Sequence, residues 1–207
     1  MRHVPWNDDV GAIVATLRAL APPPAEVHAA AAAIVADVRV RGDDAVREQT
    51  LRLDGVALED EYAVPAAELR ARLDALAPSL RAALETAAAN IRAYHEREAV
   101  APWRATLAQG QVVGQEVVPL AAAGLYVPGG LADYPSSVLM TAIPAQVAGV
   151  ERIVVCSPPR PGGGAAAGVA AACALLGIEH LYPIGGAQAV AAMALGTARV
   201  PRCDVVV

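Results

Sequence analysis

The chain has 207 residues, 56% of them apolar, and a formal net charge of −5. It is long enough for one sizeable domain, or two small ones, with a substantial buried core. The 16 basic residues form no run and are outnumbered by 21 acidic residues, which argues against a nucleic-acid-binding surface. Gly, Pro or charged residues interrupt the apolar stretches, which argues against a membrane span.

The three cysteines, Cys156, Cys173 and Cys203, lie far apart in apolar surroundings. An odd number of unpaired cysteines is typical of reduced intracellular thiols rather than of a disulfide framework. Without a Cys-x-x-Cys pair, a zinc site built from thiolates is not expected. The N-terminus also lacks the apolar core of a secretory signal. The sequence therefore predicts a cytoplasmic protein.

Apolar residues at helical spacing predict that the first part of the chain is a helical array. The predicted helices cover residues 8–20, 25–40, 43–53, 65–77 and 78–100. Asn7, Asp8 and Asp9 are cap candidates for the first helix, and Asp43 and Asp44 for the third.

After residue 103 the pattern changes to short β-branched runs separated by Gly and Pro. Residues 106–119 predict a hairpin that turns near Gly110, and strands and helices then alternate. The predicted strands are residues 125–127, 152–157, 180–184 and 204–207, and the helices between them are residues 137–148, 165–176 and 187–195.

Four short apolar strands separated by helices favour a parallel sheet covered on both faces. Right-handed crossovers then make the sheet Rossmann-like. The predicted fold class is therefore α/β, with an N-terminal helical array leading into an incomplete Rossmann-like parallel sheet. The predicted domains are a helical region, residues 1–102, and a hairpin with a nucleotide-binding α/β region, residues 103–207, truncated at its C-terminal end.

Two strand-to-helix junctions carry paired glycines and form the candidate ligand site. They are Gly124-Leu-Tyr-Val-Pro-Gly-Gly130 and Ile184-Gly-Gly-Ala-Gln-Ala189. Backbone N–H groups at such junctions point outward and can hold an anion, and glycine lets a ligand approach the backbone closely. Both junctions fall at the carboxyl edge of the predicted sheet, where ligands bind in open α/β folds. Neither has the G-x-G-x-x-G spacing of a standard dinucleotide domain.

These junctions and two further segments resemble the histidinol dehydrogenase family, and they occur in that family's order. The further segments are Ser137-Val-Leu-Met-Thr-Ala-Ile-Pro-Ala145 and Val155-Cys-Ser-Pro-Pro159. A weaker similarity in the first half extends the resemblance over essentially the whole chain: Val38-Arg-Val-Arg-Gly-Asp-Asp-Ala45, Asp54-Gly55 and Ile91-Arg-Ala-Tyr-His-Glu96.

The resemblance implies an NAD-dependent alcohol dehydrogenase that oxidises L-histidinol to L-histidine through the aldehyde. It also implies a zinc ion that anchors the substrate, and a homodimer. Tyr126 and Gln188 match the family's NAD contacts, although each has an alternative interpretation, as a packed strand-end aromatic and a helix-capping amide. The glycines implied to bind the cofactor are Gly129, Gly130, Gly185 and Gly186.

The resemblance further implies that the catalytic and metal-binding residues are not in this chain. In the family, the strand matching residues 204–207 leads into a Gly-Pro-Gly-Asn turn, and the zinc ligands and a Glu-His acid–base pair follow. No two of the chain's four histidines have the i, i+4 spacing of ligands on one helix. We therefore expect surface or packing roles for His3, His28, His95 and His180.

Two other functions stay open at this point. A family relative that oxidises another primary alcohol, such as a dihydroxypropane sulfonate, would share this half, because the substrate-selecting residues lie largely beyond Val207. A non-catalytic binding or dimerisation module would keep the fold without the chemistry.

We expect residues 1–207 alone not to oxidise histidinol, because hydride transfer needs a base near the alcohol proton as well as an oriented acceptor ring. The measurement is NADH formation by the purified chain with NAD, zinc and histidinol. An intact histidinol dehydrogenase is the positive control, and turnover by the chain near the control's rate would contradict the expectation.

Overall fold

The structure is a computed structural model that describes residues 9–19, 24–129 and 132–207. Within these ranges it contains eight helices and six strands. The helices are α1 (Val10–Ala19), α2 (Pro24–Arg41), α3 (Asp43–Asp54), α4 (Ala66–Asp74), α5 (Pro78–Glu98), α6 (Pro135–Val147), α7 (Ala167–Leu175) and α8 (Gly186–Leu195). The strands are β1 (Trp103–Thr106), β2 (Val112–Gln115), β3 (Ala122–Tyr126), β4 (Arg152–Cys156), β5 (His180–Tyr182) and β6 (Val205–Val206).

The last four strands form one parallel sheet in the order β5-β4-β3-β6. Helix α6 connects β3 to β4, and α7 connects β4 to β5. Because parallel neighbours need crossover connections, the alternation of strands and helices in the sequence agrees with this arrangement. The predicted α/β class with a Rossmann-like parallel sheet is confirmed.

The first two strands form a separate antiparallel hairpin, as the sequence predicts. Its first strand begins at Trp103, three residues before the predicted start of the hairpin at Thr106, and Gly110 turns the chain with φ 87°. The amide N–H of Leu107 closes the loop by donating to the carbonyl of Gln111 at 2.8 Å. Every strand residue of the hairpin is exposed.

Helices cover both faces of the parallel sheet, and side chains alternate between the two faces along each strand. Leu125 and Val155 pack in one core with residues of α6 and α7. Val154 and Cys156 pack in the other core with residues of α2, α3 and α8, among them Met193. By this alternation Tyr126, at the end of β3, lies on the face that α8 covers.

Helices from the N-terminal part of the chain contribute to both covering layers. Helix α4 contacts α7 and α5 contacts α6 on one face, whereas α2 and α3 contact α8 on the other. Because of these contacts, residues of the first hundred positions lie beside the site described below. The division into domains of residues 1–102 and 103–207 stays a prediction.

Asp43 and Asp44 do not cap α3, contrary to the sequence-based expectation. The cap residue is Gly42, with φ 57°, and it makes no side-chain capping hydrogen bond to the first turn of α3. Asp43 is buried instead, and its Oδ1 accepts hydrogen bonds from the Tyr62 hydroxyl at 2.5 Å and the Thr197 hydroxyl at 2.7 Å. A buried carboxylate requires such donors, and these two hydroxyls supply them.

Helix α1 does begin at a predicted cap, because Asp9 Oδ1 accepts the amide N–H of Ala12 at 2.9 Å. The other two candidates, Asn7 and Asp8, lie outside the described residues.

Asp133, in the connection between β3 and α6, caps helix α7 from outside that helix. Its two carboxylate oxygens accept the amide N–H groups of Gly168 at 2.6 Å and Val169 at 3.2 Å. A Cβ on Gly168 would lie 2.7 Å from the Asp133 carboxylate, so a side chain at this position would displace the capping carboxylate. This contact ties the connection after the first glycine junction to the neighbouring helix.

All three cysteines are free and buried. Burial raises the pKa of Cys173 to about 12 and, together with the nearby Asp204 carboxylate, that of Cys203 to about 11. Burial also raises the pKa of Cys156. The thiolate is the reactive form, so these positions are chemically inert in the folded chain.

We therefore expect native protein at about pH 8 to resist a thiol reagent, whereas the unfolded chain reacts at all three thiols. The unfolded thiols lose their protons above their ordinary pKa of 9.0 while folded Cys203 keeps its proton up to about 11. The unfolded state then binds fewer protons, so the free energy of unfolding falls as pH rises from 9 to 11.

Urea titrations across this pH range, with thiol counting by absorbance, measure both effects. The fall in stability should be shallower in Cys203→Ala, which lacks one of the titrating groups. Rapid labelling of the native protein would contradict the burial of the thiols.

Candidate functional site

The two glycine junctions meet at the carboxyl edge of the parallel sheet. Tyr126 is the last residue of β3, and Gly185 and Gly186 lie at the start of α8, in the turn that follows β5. The amide N–H of Gly186 donates to the Tyr126 hydroxyl oxygen at 3.1 Å. This amide belongs to the first turn of α8, where backbone N–H groups have no partner within the helix. The structure thus brings together the two segments that the sequence predicts to form one site.

Pro158, two residues after β4, lies between the two junctions. A Cβ on Gly129 would lie 3.1 Å from Pro158 Cδ, and a Cβ on Gly185 would lie 2.9 Å from Pro158 Cγ. The proline ring therefore occupies the space of a side chain at Gly185 and leaves only a tight fit for one at Gly129. The fourth predicted glycine, Gly130, lies outside the described residues.

Gly186 needs glycine for a different reason. Its φ of 60° is in the left-handed region, which side chains disfavour, and a Cβ would lie 2.8 Å from Gln188 Oε1. The carbonyl end of the Gln188 side chain is therefore directed at the first turn of α8.

Gln188 is 0% exposed and is one of the few buried polar side chains in the described ranges. Its Nε2 donates to Asp54 Oδ2 at 3.5 Å. Its Oε1 is buried and has no hydrogen-bond donor, so the side chain does not cap α8. An unpaired buried acceptor costs about 1–3 kcal/mol, and a ligand that supplies a donor removes that cost.

The sequence-based prediction of the site did not include Asp54. It is the last residue of α3, and Gly55 follows in the left-handed conformation with φ 69°. Burial raises the pKa of the Asp54 carboxyl. The Asp54-Gly55 pair belongs to the resemblance, which could have drawn attention to it, but the pattern gave no reason to place it beside Gln188.

A cavity of about 440 Å³ lies at the opposite edge of the sheet, where the strands begin. Arg152 and His180, at the starts of β4 and β5, are among the residues that line it. The paired glycines and the unpaired amide oxygen are at the other edge, so this cavity is not the predicted nucleotide site.

The described part of the chain contains no group of three or more His, Cys, Asp or Glu side chains that could hold a metal ion. His95 pairs through Nδ1 with Glu98 Oε2 at 2.7 Å, and His28 and His180 lie on other elements. His3 is outside the described ranges. These residues do not fit the implied zinc ion.

None of the described helices combines the length and the apolar character that crossing a membrane requires.

Residues 22–207 match the histidinol dehydrogenase family. The histidinol dehydrogenase of Geobacillus kaustophilus is 47% identical over 171 residues, which are 83% of this chain and 40% of that protein. The histidinol dehydrogenase of Bordetella parapertussis is 50% identical over 183 residues, which are 87% of this chain and 41% of that protein. The chain thus spans about two fifths of the length of these relatives.

A solved structure has the same fold. The crystal structure of histidinol dehydrogenase from Elizabethkingia anophelis superposes with a TM-score of 0.82 and 29% sequence identity. The match covers 90% of this chain and 42% of that one. The resemblance carried by the glycine junctions is therefore confirmed, and the chain belongs to the histidinol dehydrogenase family.

Proposed function

We propose that this chain supplies the NAD-binding part of an enzyme that oxidises L-histidinol to L-histidine through histidinal, the last step of histidine biosynthesis. The proposal depends most on the junction at which Tyr126 meets the first turn of α8 beside the unpaired oxygen of Gln188. Because the chain spans about two fifths of its relatives, their activity is carried over as a proposal.

The polar groups of the junction complement NAD. The Tyr126 hydroxyl accepts the Gly186 N–H, which leaves its own hydrogen for an acceptor on the ligand. Gln188 Oε1 needs a donor. NAD offers phosphate and carbonyl oxygens as acceptors, and ribose hydroxyls and a carboxamide NH₂ as donors. The bound cofactor would supply the ring that accepts hydride.

The chain's own contribution is to bind and orient. Gly129 and Gly185 carry no side chain at the junction, which allows Pro158 to pack between the two turns. The 0% exposure of Gln188 excludes water from its amide, which strengthens any hydrogen bond made there. No proton-transfer role is assigned to any of these residues.

A homodimer is also part of the proposal. Large apolar side chains on and beside the hairpin are exposed, including Trp103 at 51%, Val112 at 68% and Val118 at 82%. An isolated two-stranded hairpin is at best marginally stable in water, and a second subunit could cover it. The three free thiols support a cytoplasmic location, and the net charge of −5 supports a small-molecule substrate rather than a nucleic acid.

Tyr126→Phe should weaken NAD binding to the chain by about tenfold, because it removes a hydroxyl that bonds to the α8 amide and can donate to the ligand. Isothermal titration calorimetry with NAD measures the affinity. Tyr134→Phe is the matched control. It removes the same hydroxyl from a tyrosine elsewhere, in the connection between β3 and α6. Equal NAD affinities of the two variants would show that the Tyr126 hydroxyl does not contribute to NAD binding.

The complete reaction is tested in a chimera in which the matching segment of the Geobacillus kaustophilus enzyme is replaced by residues 22–207 of this chain. We expect NADH formation that depends on histidinol, because this segment contains the proposed cofactor site. A dihydroxypropane sulfonate serves as the competing substrate. A folded chimera that binds no NAD would disprove the proposed function.

A further inference from the structure

The contact between Gln188 Nε2 and Asp54 Oδ2 bears on which end of the Gln188 amide faces the ligand site. A glutamine amide can be turned to exchange its oxygen and nitrogen, and neighbouring groups decide between the two orientations. An ionised carboxylate only accepts hydrogen bonds. With Nε2 3.5 Å from Asp54 Oδ2, the observed orientation is attractive. The exchanged orientation would place the Gln188 oxygen against the Asp54 carboxylate and would be repulsive.

The position of Asp54 follows from how α3 ends. Thr50, one turn earlier on the same face of α3, is 0% exposed, and α3 contacts α8. Gly55 then ends the helix in the left-handed conformation, and its N–H donates to the carbonyl of Leu51 at 3.1 Å. The final side chain of α3 is thereby held at the first turn of α8. Asp54 remains exposed, and the partial burial of its carboxyl beside α8 raises its pKa.

In this orientation the Gln188 carbonyl oxygen is an acceptor to which none of the described residues donates. Gln188 Oε1 is buried, has no donor, and lies 2.8 Å from the point where a Cβ of Gly186 would be. A phosphate oxygen cannot satisfy it, because both atoms are acceptors. A hydroxyl or an amide N–H can.

We propose that Asp54 is a positioning residue that holds the Gln188 carbonyl oxygen toward the first turn of α8, as the acceptor for a hydroxyl or carboxamide N–H of the bound cofactor. The proposal extends the NAD site proposed above and depends on it for the identity of the ligand. It assigns the sugar or the carboxamide of NAD, rather than its pyrophosphate, to Gln188. At 3.5 Å the contact orients the amide more than it stabilises the fold.

The test compares Asp54→Asn with Asp74→Asn in the ¹⁵N-labelled 207-residue chain. Asp74 is the last residue of α4, just as Asp54 is the last of α3, so each variant removes one negative charge from the final residue of a helix. The readout is the side-chain NH₂ signal of Gln188, which is assigned by its loss in Gln188→Leu. It reports on the amide itself and does not require a ligand.

We expect Asp54→Asn to shift this signal and Asp74→Asn to leave it in place. We also expect NAD affinity to fall about tenfold in Asp54→Asn, consistent with the loss of one charge-assisted contact. Asp54→Glu keeps a carboxylate acceptor and should recover part of the affinity. Addition of NAD should move the Gln188 signal, whereas inorganic pyrophosphate should not.

An unchanged Gln188 signal in Asp54→Asn would overturn the positioning role. A response of the signal to pyrophosphate equal to that with NAD would overturn the assignment of the ligand group. If the unsubstituted chain bound no NAD, the proposal that NAD is the ligand would be wrong. The Gln188 NH₂ signal measured without ligand would still decide whether Asp54 orients Gln188.

Discussion

The hydrogen bond from the Gly186 amide to the Tyr126 hydroxyl joins the two halves of the site. Tyr126 is placed by β3, and Gly186 by the turn from β5 into α8. These strands are not neighbours, because β4 lies between them. Only the parallel sheet order brings their carboxyl ends to one edge, so the site exists as a consequence of the topology.

Much of this arrangement could be predicted from the sequence, because its determinants are local. Hydrophobic spacing located the helices, and the β3 and α8 glycine turns marked the strand ends. The parallel topology then required those turns to share an edge. Tyr126 and Gln188 were identified through the family resemblance, and the structure gives each a physical setting: a hydroxyl bonded to a helix amide and a buried acceptor without a donor.

The parts that could not be predicted depend on contacts between residues distant in sequence. Asp43 looked like a helix cap because aspartate before a helix usually is one, but hydroxyls of Tyr62 and Thr197 hold it in the core. Asp54 similarly gave no local sign of its contact with a residue 134 positions away. Such pairs become visible only when helices of the N-terminal part are packed on the sheet.

Pro158 also connects the two glycine turns mechanically. One rigid ring fills the space beside Gly129 and beside Gly185, so neither turn can shift toward it without displacing the other. A proline ring has little freedom to adapt, so a displacement of one turn toward the ring would strain the contact with the other turn. We therefore expect a ligand that displaces one turn to displace the other turn as well.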